Sequence, residues 1–151
     1  MPVFLKPSIP LQTASRMIEV AIEHAAEIGI CISVAIVDES GILKAFARMD
    51  GSPLVAVEVA RNKALTAVGF GIPTGQAWIN FSQGDEILEK GIHSLPNFTM
   101  FTGGHPLRLS GTVAGAIGVS GAHYSQDDAC ARAALRLLDE APEDGGERAD
   151  T

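Results

Sequence analysis

The chain has 151 residues, a hydrophobic fraction of 46% and a formal net charge of −7 at pH 7. This length predicts one domain, and the apolar fraction is enough for a sizeable core. The negative charge argues against a nucleic-acid surface, which needs clustered Lys and Arg, and against binding to anionic membranes.

The first quarter of the chain predicts a helix followed by a β-hairpin. Apolar residues recur at helical spacing over 11–28, and Gly29 ends this pattern. Residues 32–37 then form a run that is apolar except for Ser33, which is typical of a strand that is buried on both faces. A polar turn at 38–41 separates this run from 42–47, so we expect a hairpin over these segments.

Further helices are predicted in the middle of the chain. Ser52 followed by Pro53 is a favourable start for a helix that runs to about Val68. A glycine-rich loop and a short helix over 76–80 follow. Ser82 and Asp85 then resemble the cap of another short helix, which ends at Gly91.

The last part of the chain predicts three short strands and a final helix. The strands are expected at 98–101, 106–109 and 113–119, and the short turns between them favour antiparallel pairing. Ser125 with Asp128 three residues later predicts the cap of the final helix.

This order of elements predicts an α+β fold with a five-stranded, mostly antiparallel, profilin-like sheet flanked by helices. Residues 1–140 are expected to form a single domain, and 141–151 a flexible acidic tail. The sequence has no signal-like segment and only two cysteines, Cys31 and Cys130. We therefore expect a cytoplasmic chain with no disulfide framework.

Four polar residues at strand ends are candidates for a site: Asp38, Arg48, Asp50 and His105. Arg48 and Asp50 either pin the turn or belong to an ion-pair network with Lys63. The alternative is that Arg48 binds a carboxylate, which suits its fork geometry. His105 is either a loop histidine bonded to a carboxylate or a functional imidazole, which suits iron ligation and acid–base chemistry.

Lys63 follows a run of polar residues on the second predicted helix, so the sequence favours a solvated position for it. His93 follows the glycine that ends a short helix and is expected in a loop. Neither residue stands out from its local pattern alone.

Several segments together resemble the GlcG/HbpS-like haem-binding family, which includes the C-terminal domain of PduO-type corrinoid adenosyltransferases. The matching segments are Ala35-Ile-Val-Asp38 with Gly41, Arg48-Met-Asp-Gly51, Lys63 with Thr66 and Ala67, Gly103-Gly-x-Pro106, Gly115-Ala-Ile-Gly-Val-Ser-Gly-Ala122, and Gln126-Asp127 with Cys130-Ala131. The resemblance runs from about Leu11 to Leu138. His105 departs from it, since the third position of Gly-Gly-x-Pro is usually apolar.

The resemblance implies a profilin-like fold, a homo-oligomer and a small-molecule or tetrapyrrole ligand. Haem binding, haem degradation and a place beside operons for small carbon compounds are described in the family. Histidine or threonine ligates haem at positions that differ between members, so the resemblance assigns no ligand residue to this chain.

The first hypothesis is therefore a haem-binding protein. His105 would ligate the iron, Phe98 and Phe101 would cover the macrocycle, and Arg48 would pair with a propionate. Lys63 and the glycines Gly103 and Gly104 complete the predicted ligand-binding set.

The alternative is a cofactor-independent enzyme that acts on a small organic acid in a catabolic pathway. His105 would be the acid–base group, Arg48 would anchor a carboxylate, and Asp38 or Asp50 would orient the imidazole. Both hypotheses require His105 and Arg48 to share a cavity. A third hypothesis is an accessory subunit without chemistry, which would associate through the helix at 55–68.

Overall fold

The computed structural model describes residues 1–140. The predicted tail at 141–151 lies outside the described residues. Four strands form one antiparallel sheet with the order β2-β1-β4-β3. The strands are β1 Ser33–Asp38, β2 Leu43–Arg48, β3 Gly104–Leu109 and β4 Thr112–Ser120. Short turns make β1–β2 and β3–β4 hairpins, and the pairing of β1 with β4 leaves β2 and β3 at the edges.

Helices cover both faces of this sheet. They are α1 Leu11–Glu27, α2 Val55–Phe70, α3 Gln76–Ser82, α4 Glu86–Gly91 and α5 Tyr124–Glu140, with a 3₁₀ turn at Ile92–Ser94 between α4 and β3. α1 and α5 pack together on one face, and α2 lies across β1, β3 and β4 on the other. In residues 1–140, no helix combines the length and the apolar character needed to cross a membrane.

Successive side chains of each strand point to opposite faces of the sheet, which divides the core into two layers. Val34 and Ile36 of β1 face α1 and α5 together with Ile117 and Val119 of β4. Full burial of each of these side chains stabilises the fold by roughly 1.5–3 kcal/mol. The opposite face is lined by smaller side chains, which lets α2 approach the sheet closely.

Gly118 of β4 shows how closely α2 approaches. A Cβ atom at this position would lie 2.0 Å from the carbonyl oxygen of Ala60 and 2.6 Å from the backbone nitrogen of Ala64. Any larger residue here would push α2 off the sheet, so glycine is required for close approach rather than for its backbone freedom.

The predicted hairpin at 32–47 is confirmed, but the predicted five-stranded sheet is wrong. Residues 98–101 are not a strand, because the side chain of Thr66 on α2 holds this segment. Its Oγ1 donates to the carbonyl of Asn97 at 3.2 Å and accepts from the amide of Thr99 at 3.1 Å. Phe98 meanwhile packs into an aromatic cluster with Phe70 and Trp78. These tertiary contacts outweigh the local β-pattern.

Three helix ends also differ from the predictions. Ser52 does not cap α2, because its hydroxyl lies 3.0 Å from that of Ser33, and α2 starts at Val55. Asp85 alone caps α4, where its Oδ1 accepts two backbone N–H groups. α5 begins one residue before Ser125, with the ring of His123 accepting from the Ser125 amide.

Candidate functional site

A buried ion pair joins α2 to the start of α5. The Nζ atom of Lys63 donates to Oδ2 of Asp127 at 2.9 Å and to the carbonyl of Val119 at 2.7 Å. The side chains of Lys63 and Asp127 are only 1% and 2% exposed. Oδ1 of Asp127 also accepts the amide of Ala122 at 3.0 Å, so the pair ties α2, β4 and α5 together.

The expected solvated position of Lys63 is therefore wrong. Lys63 shares the inner face of α2 with Ala60, Ala64 and Ala67, since these positions repeat at helical spacing. The surrounding polar residues do not decide its exposure, because the sheet lies under this face. Burial lowers the pKa of Lys63, while the nearby carboxylates of Asp127 and Asp128 oppose that shift.

Gly103 makes room for the ion pair. A Cβ atom here would lie 2.8 Å from the carbonyl oxygen of Val119 and 3.1 Å from Nζ of Lys63. Its φ of +123° is also one that side chains of L-residues rarely adopt. Gly104 packs equally tightly, against the backbone of Lys63 and the side chain of Thr74. Both predicted glycines thus shape the floor beneath the site.

A pocket of about 300 Å³ opens above the ion pair. We call it the lysine pocket; its lining residues are Val55, Val59, Lys63, Phe101, Ser120, Ala122, His123, Tyr124 and Asp127. Apolar side chains form much of the wall, and the Lys63–Asp127 pair lies at the base. Parts of the neighbouring segments 115–122 and 126–127, which carry the family resemblance, line the pocket together with Lys63, which is distant from them in sequence.

Two further pockets continue from the lysine pocket. The bridging pocket, about 190 Å³, shares Phe101 and Tyr124 with it. The histidine pocket, about 390 Å³, shares Gln76, Ile79 and Met100 with the bridging pocket. The three pockets therefore adjoin one another along α3 and the start of α5, and we call this set the trough.

The histidine pocket is lined by Gln76, Trp78, Ile79, Ser82, Gln83, Glu89, Ile92, His93 and Met100. Phe98 packs behind it, with its ring centroid 5.5 Å from Trp78 and 6.1 Å from His93. Phe98 therefore supports the wall, whereas Phe101 lines the trough itself.

His105 lies outside the trough, on the face of the sheet that is covered by α1 and α5. It pairs with Ile117 across β3 and β4, and its side chain is 5% exposed. Its Nε2 lies 2.5 Å from Oδ1 of Asp128, whose Oδ2 accepts from Nε of Arg132 at 2.7 Å. Burial alone would raise the pKa of Asp128, but the hydrogen bonds from His105 and Arg132 bring it below its ordinary value.

Arg48 and His105 do not share a cavity within one chain. Arg48 is an exposed residue on β2, and His105 is on β3, at the opposite edge of the sheet. Three strand spacings of about 4.8 Å separate these edges. The prediction that the two side chains meet is therefore wrong. The strand order explains this, because β1 and β4 lie between β2 and β3.

The two other acidic candidates lie in turns. Oδ1 of Asp38 accepts the amides of Ser40 and Ile42 at 2.9 and 3.0 Å, which closes the β1–β2 turn. Asp50 is exposed in the turn after β2. In residues 1–140, no group of three or more His, Cys, Asp or Glu side chains could hold a metal ion.

The comparisons with known proteins show the family. A family model described as haem-degrading protein HbpS-like matches residues 9–136. The chain belongs to the HbpS-like family. It is also 32% identical to protein GlcG of Escherichia coli over 112 residues, which cover 72% of this chain and 78% of GlcG.

Solved structures of family members share the fold. Protein ORFY of Klebsiella pneumoniae aligns with a TM-score of 0.82 and 25% identity, over 94% of this chain and 98% of its own. A double mutant of HbpS from Streptomyces reticuli aligns at 0.79 with 28% identity, over 90% of each chain. A PduOC:heme complex also aligns at 0.79, with 27% identity over 87% of this chain and 95% of its own.

Several residues of the trough were not singled out from the sequence. His93 and Met100 line the histidine pocket, and His123 and Tyr124 line the lysine pocket. One sequence feature that points to this region is the concentration of aromatic residues between 70 and 101, because the whole chain has only 5% aromatic residues. Aromatic clusters of this kind often form the walls of ligand pockets.

Proposed function

We propose that this protein binds haem or a related tetrapyrrole in the trough. The observation that carries the proposal is the PduOC:heme complex, which aligns with 87% of this chain at a TM-score of 0.79. Membership of the HbpS-like family supports the same class of ligand.

The chemistry of the trough fits this ligand. A macrocycle needs extended apolar walls, and Ile79, Met100 and Phe101 line the bridging pocket between the two larger ones. Iron needs a nitrogen or sulfur ligand, and both imidazole and thioether groups line the trough. When bound, haem supplies an iron centre whose reactivity is set by its axial ligands.

The chain's own residues position these walls. The Lys63–Asp127 pair holds the start of α5 beside α2, and Tyr124 of α5 lines the same two pockets as Phe101. Thr66 fixes the segment that leads to Met100 and Phe101. Because these contacts exist in the folded chain, less ordering is needed when a ligand binds.

The alternative of a catabolic enzyme has less support. It requires a carboxylate held by Arg48 next to the imidazole of His105, and these side chains lie on opposite edge strands. The comparisons give it no support either. His105 instead holds α5 on the sheet through Asp128, and we assign it a positioning role.

A titration with haemin tests the proposal. We expect a saturable shift of the Soret band with the wild-type chain. Ile79→Asp places a carboxylate on the trough wall and should weaken binding at least about tenfold, because burial of a charge is unfavourable. Ile42→Asp is a matched control, since Ile42 is 65% exposed and Ile79 44% exposed, and Ile42 follows the distant β1–β2 turn.

Two results would contradict the proposal. The first is a wild-type spectrum that does not change with haemin. The second is equal weakening by Ile79→Asp and Ile42→Asp, which would indicate nonspecific adsorption to exposed apolar residues rather than binding in the trough.

A further inference from the structure

The four histidines differ in what their ring nitrogens contact. Nδ1 of His24 lies 3.4 Å from a carboxylate oxygen of Glu27, and Nε2 of His105 lies 2.5 Å from Asp128. Nδ1 of His123 lies 2.8 Å from the hydroxyl of Ser125 and accepts that residue's amide. In each of these three rings, one nitrogen already has a polar partner in the folded chain.

His93 is different. Within residues 1–140 its ring takes part in no hydrogen bond or ion pair to protein. The ring instead meets the edge of Phe98 at an interplanar angle of 80°. It lies in the 3₁₀ turn Ile92–Ser94 and lines the largest of the three pockets of the trough. His93 is exposed, and a ligand at its ring nitrogens would displace water rather than a protein group.

The surroundings of His93 suit a metal that brings most of its own ligands. Trp78, Ile79 and Ile92 supply apolar wall, and Met100 adds a thioether. Glu89 is the one carboxylate on the wall, and its Oε1 accepts the amide of Gly84 at 3.0 Å. A bare divalent ion needs several strong protein ligands, whereas haem iron needs only one or two axial ones.

We propose that His93 is the axial ligand of the haem iron and that the macrocycle lies in the histidine and bridging pockets. This inference rests on the proposed function. It replaces His105 as the candidate ligand, because His105 is buried under α5 and is bonded to Asp128.

Spectra of haemin complexes of four single variants test this assignment. The variants are His24→Ala, His93→Ala, His105→Ala and His123→Ala. We expect His93→Ala alone to lose the imidazole-ligated spectrum, seen in the Soret position and in electron paramagnetic resonance, and to bind haemin at least about tenfold more weakly. Free imidazole added to His93→Ala should restore the ligated spectrum, because it can occupy the vacated position.

The outcomes separate this inference from the proposed function. A wild-type chain that does not bind haemin overturns both. A His93→Ala chain that keeps the wild-type spectrum overturns only the ligand assignment, as does loss of ligation in a different histidine variant that still folds. Circular dichroism checks folding, which matters most for His105→Ala because that side chain is buried.

Met100→Leu refines the result. Loss of a thioether signature in this variant, with the imidazole signature kept, would support His93 and Met100 as the two axial groups. An unchanged spectrum would leave His93 as the single protein ligand and would still support the inference.

Discussion

The two ends of the trough are built in opposite ways. At the lysine pocket, each named polar atom of the Lys63–Asp127 pair has a partner, and Gly103 leaves no space for a Cβ atom. At the histidine pocket, His93 has no polar partner within residues 1–140, and the nearby Gly84 and Gly91 face open space. One end is closed by internal bonds, and the other presents unused ligand atoms.

This difference distinguishes side chains that stabilise the fold from side chains that can bind a ligand. A group that is fully bonded within the fold contributes to position and stability, and it must break those bonds before it can bind anything else. An exposed group without protein partners gives up only its hydrogen bonds to water. The contrast explains why His105, the residue that stands out in the sequence, is less suited to iron than His93, which does not.

The largest expected effect is at the closed end. Lys63→Met leaves the carboxylate of Asp127 buried and without its cation, so we expect a loss of roughly 3–5 kcal/mol in the free energy of unfolding. Urea denaturation measures this loss. The double variant Lys63→Met/Asp127→Leu should be more stable than Lys63→Met, because it buries no unpaired charge.

Lys90→Met is the matched control for this comparison. Lys90 pairs with Glu86 on α4, where both side chains are more than three-quarters exposed. Its loss should cost less than about 1 kcal/mol. Similar losses for the two lysine variants would contradict the distinction between a closed and an open end.

A second comparison uses two glycines with positive φ. Gly103 at the closed end and Gly84 at the open end both have left-handed backbone, but only Gly103 is crowded. Substitution by Ala should cost about 1 kcal/mol or more at either site through backbone strain. Gly103→Ala should cost a further 1–3 kcal/mol, roughly, through overpacking against Val119 and Lys63.

Thermal unfolding of both alanine variants measures this difference. Equal destabilisation would show that the space around Gly103 relaxes easily, and that the lysine end is less rigid than its contacts indicate.

The smallest expected effect is a loss of folding stability at acidic pH, to which Asp128 contributes. The pKa of Asp128 is lowered in the folded state, so between the folded and unfolded pKa values the unfolded chain binds more protons. Stability from this carboxylate is therefore complete above the unfolded pKa and is lost as pH falls through the folded one, from about pH 5 downwards.

Unfolding curves at a series of acidic pH values check this effect. Asp128→Asn should show a flatter loss of stability with falling pH than wild type. Asp50→Asn, at an exposed turn, should follow the wild-type curve. If Asp128→Asn and wild type lose stability in parallel, the His105–Asp128–Arg132 contacts do not contribute as inferred.

Much of the fold follows from local sequence. The helical spacing over 11–28 predicts α1, and the apolar runs around the polar turn at 38–41 predict the β1–β2 hairpin. These elements were predictable because the hydrophobic periodicity and the residues at the turns indicate the same elements and the same boundaries. The family resemblance also predicted the HbpS-like assignment and drew attention to Lys63 and Gly103. The homo-oligomer, the compartment and the single-domain boundary at 140 stay predictions.

The sequence by itself determined the order of most elements and the family, because both are written in local patterns and short motifs. Only the tertiary structure decided that Lys63 is buried, since that depends on which face of α2 meets the sheet. It also decided that 98–101 is held by Thr66 rather than by a strand, and that two central strands separate Arg48 from His105. Contacts between distant segments carry no local signal, so the site had to be read from the folded chain.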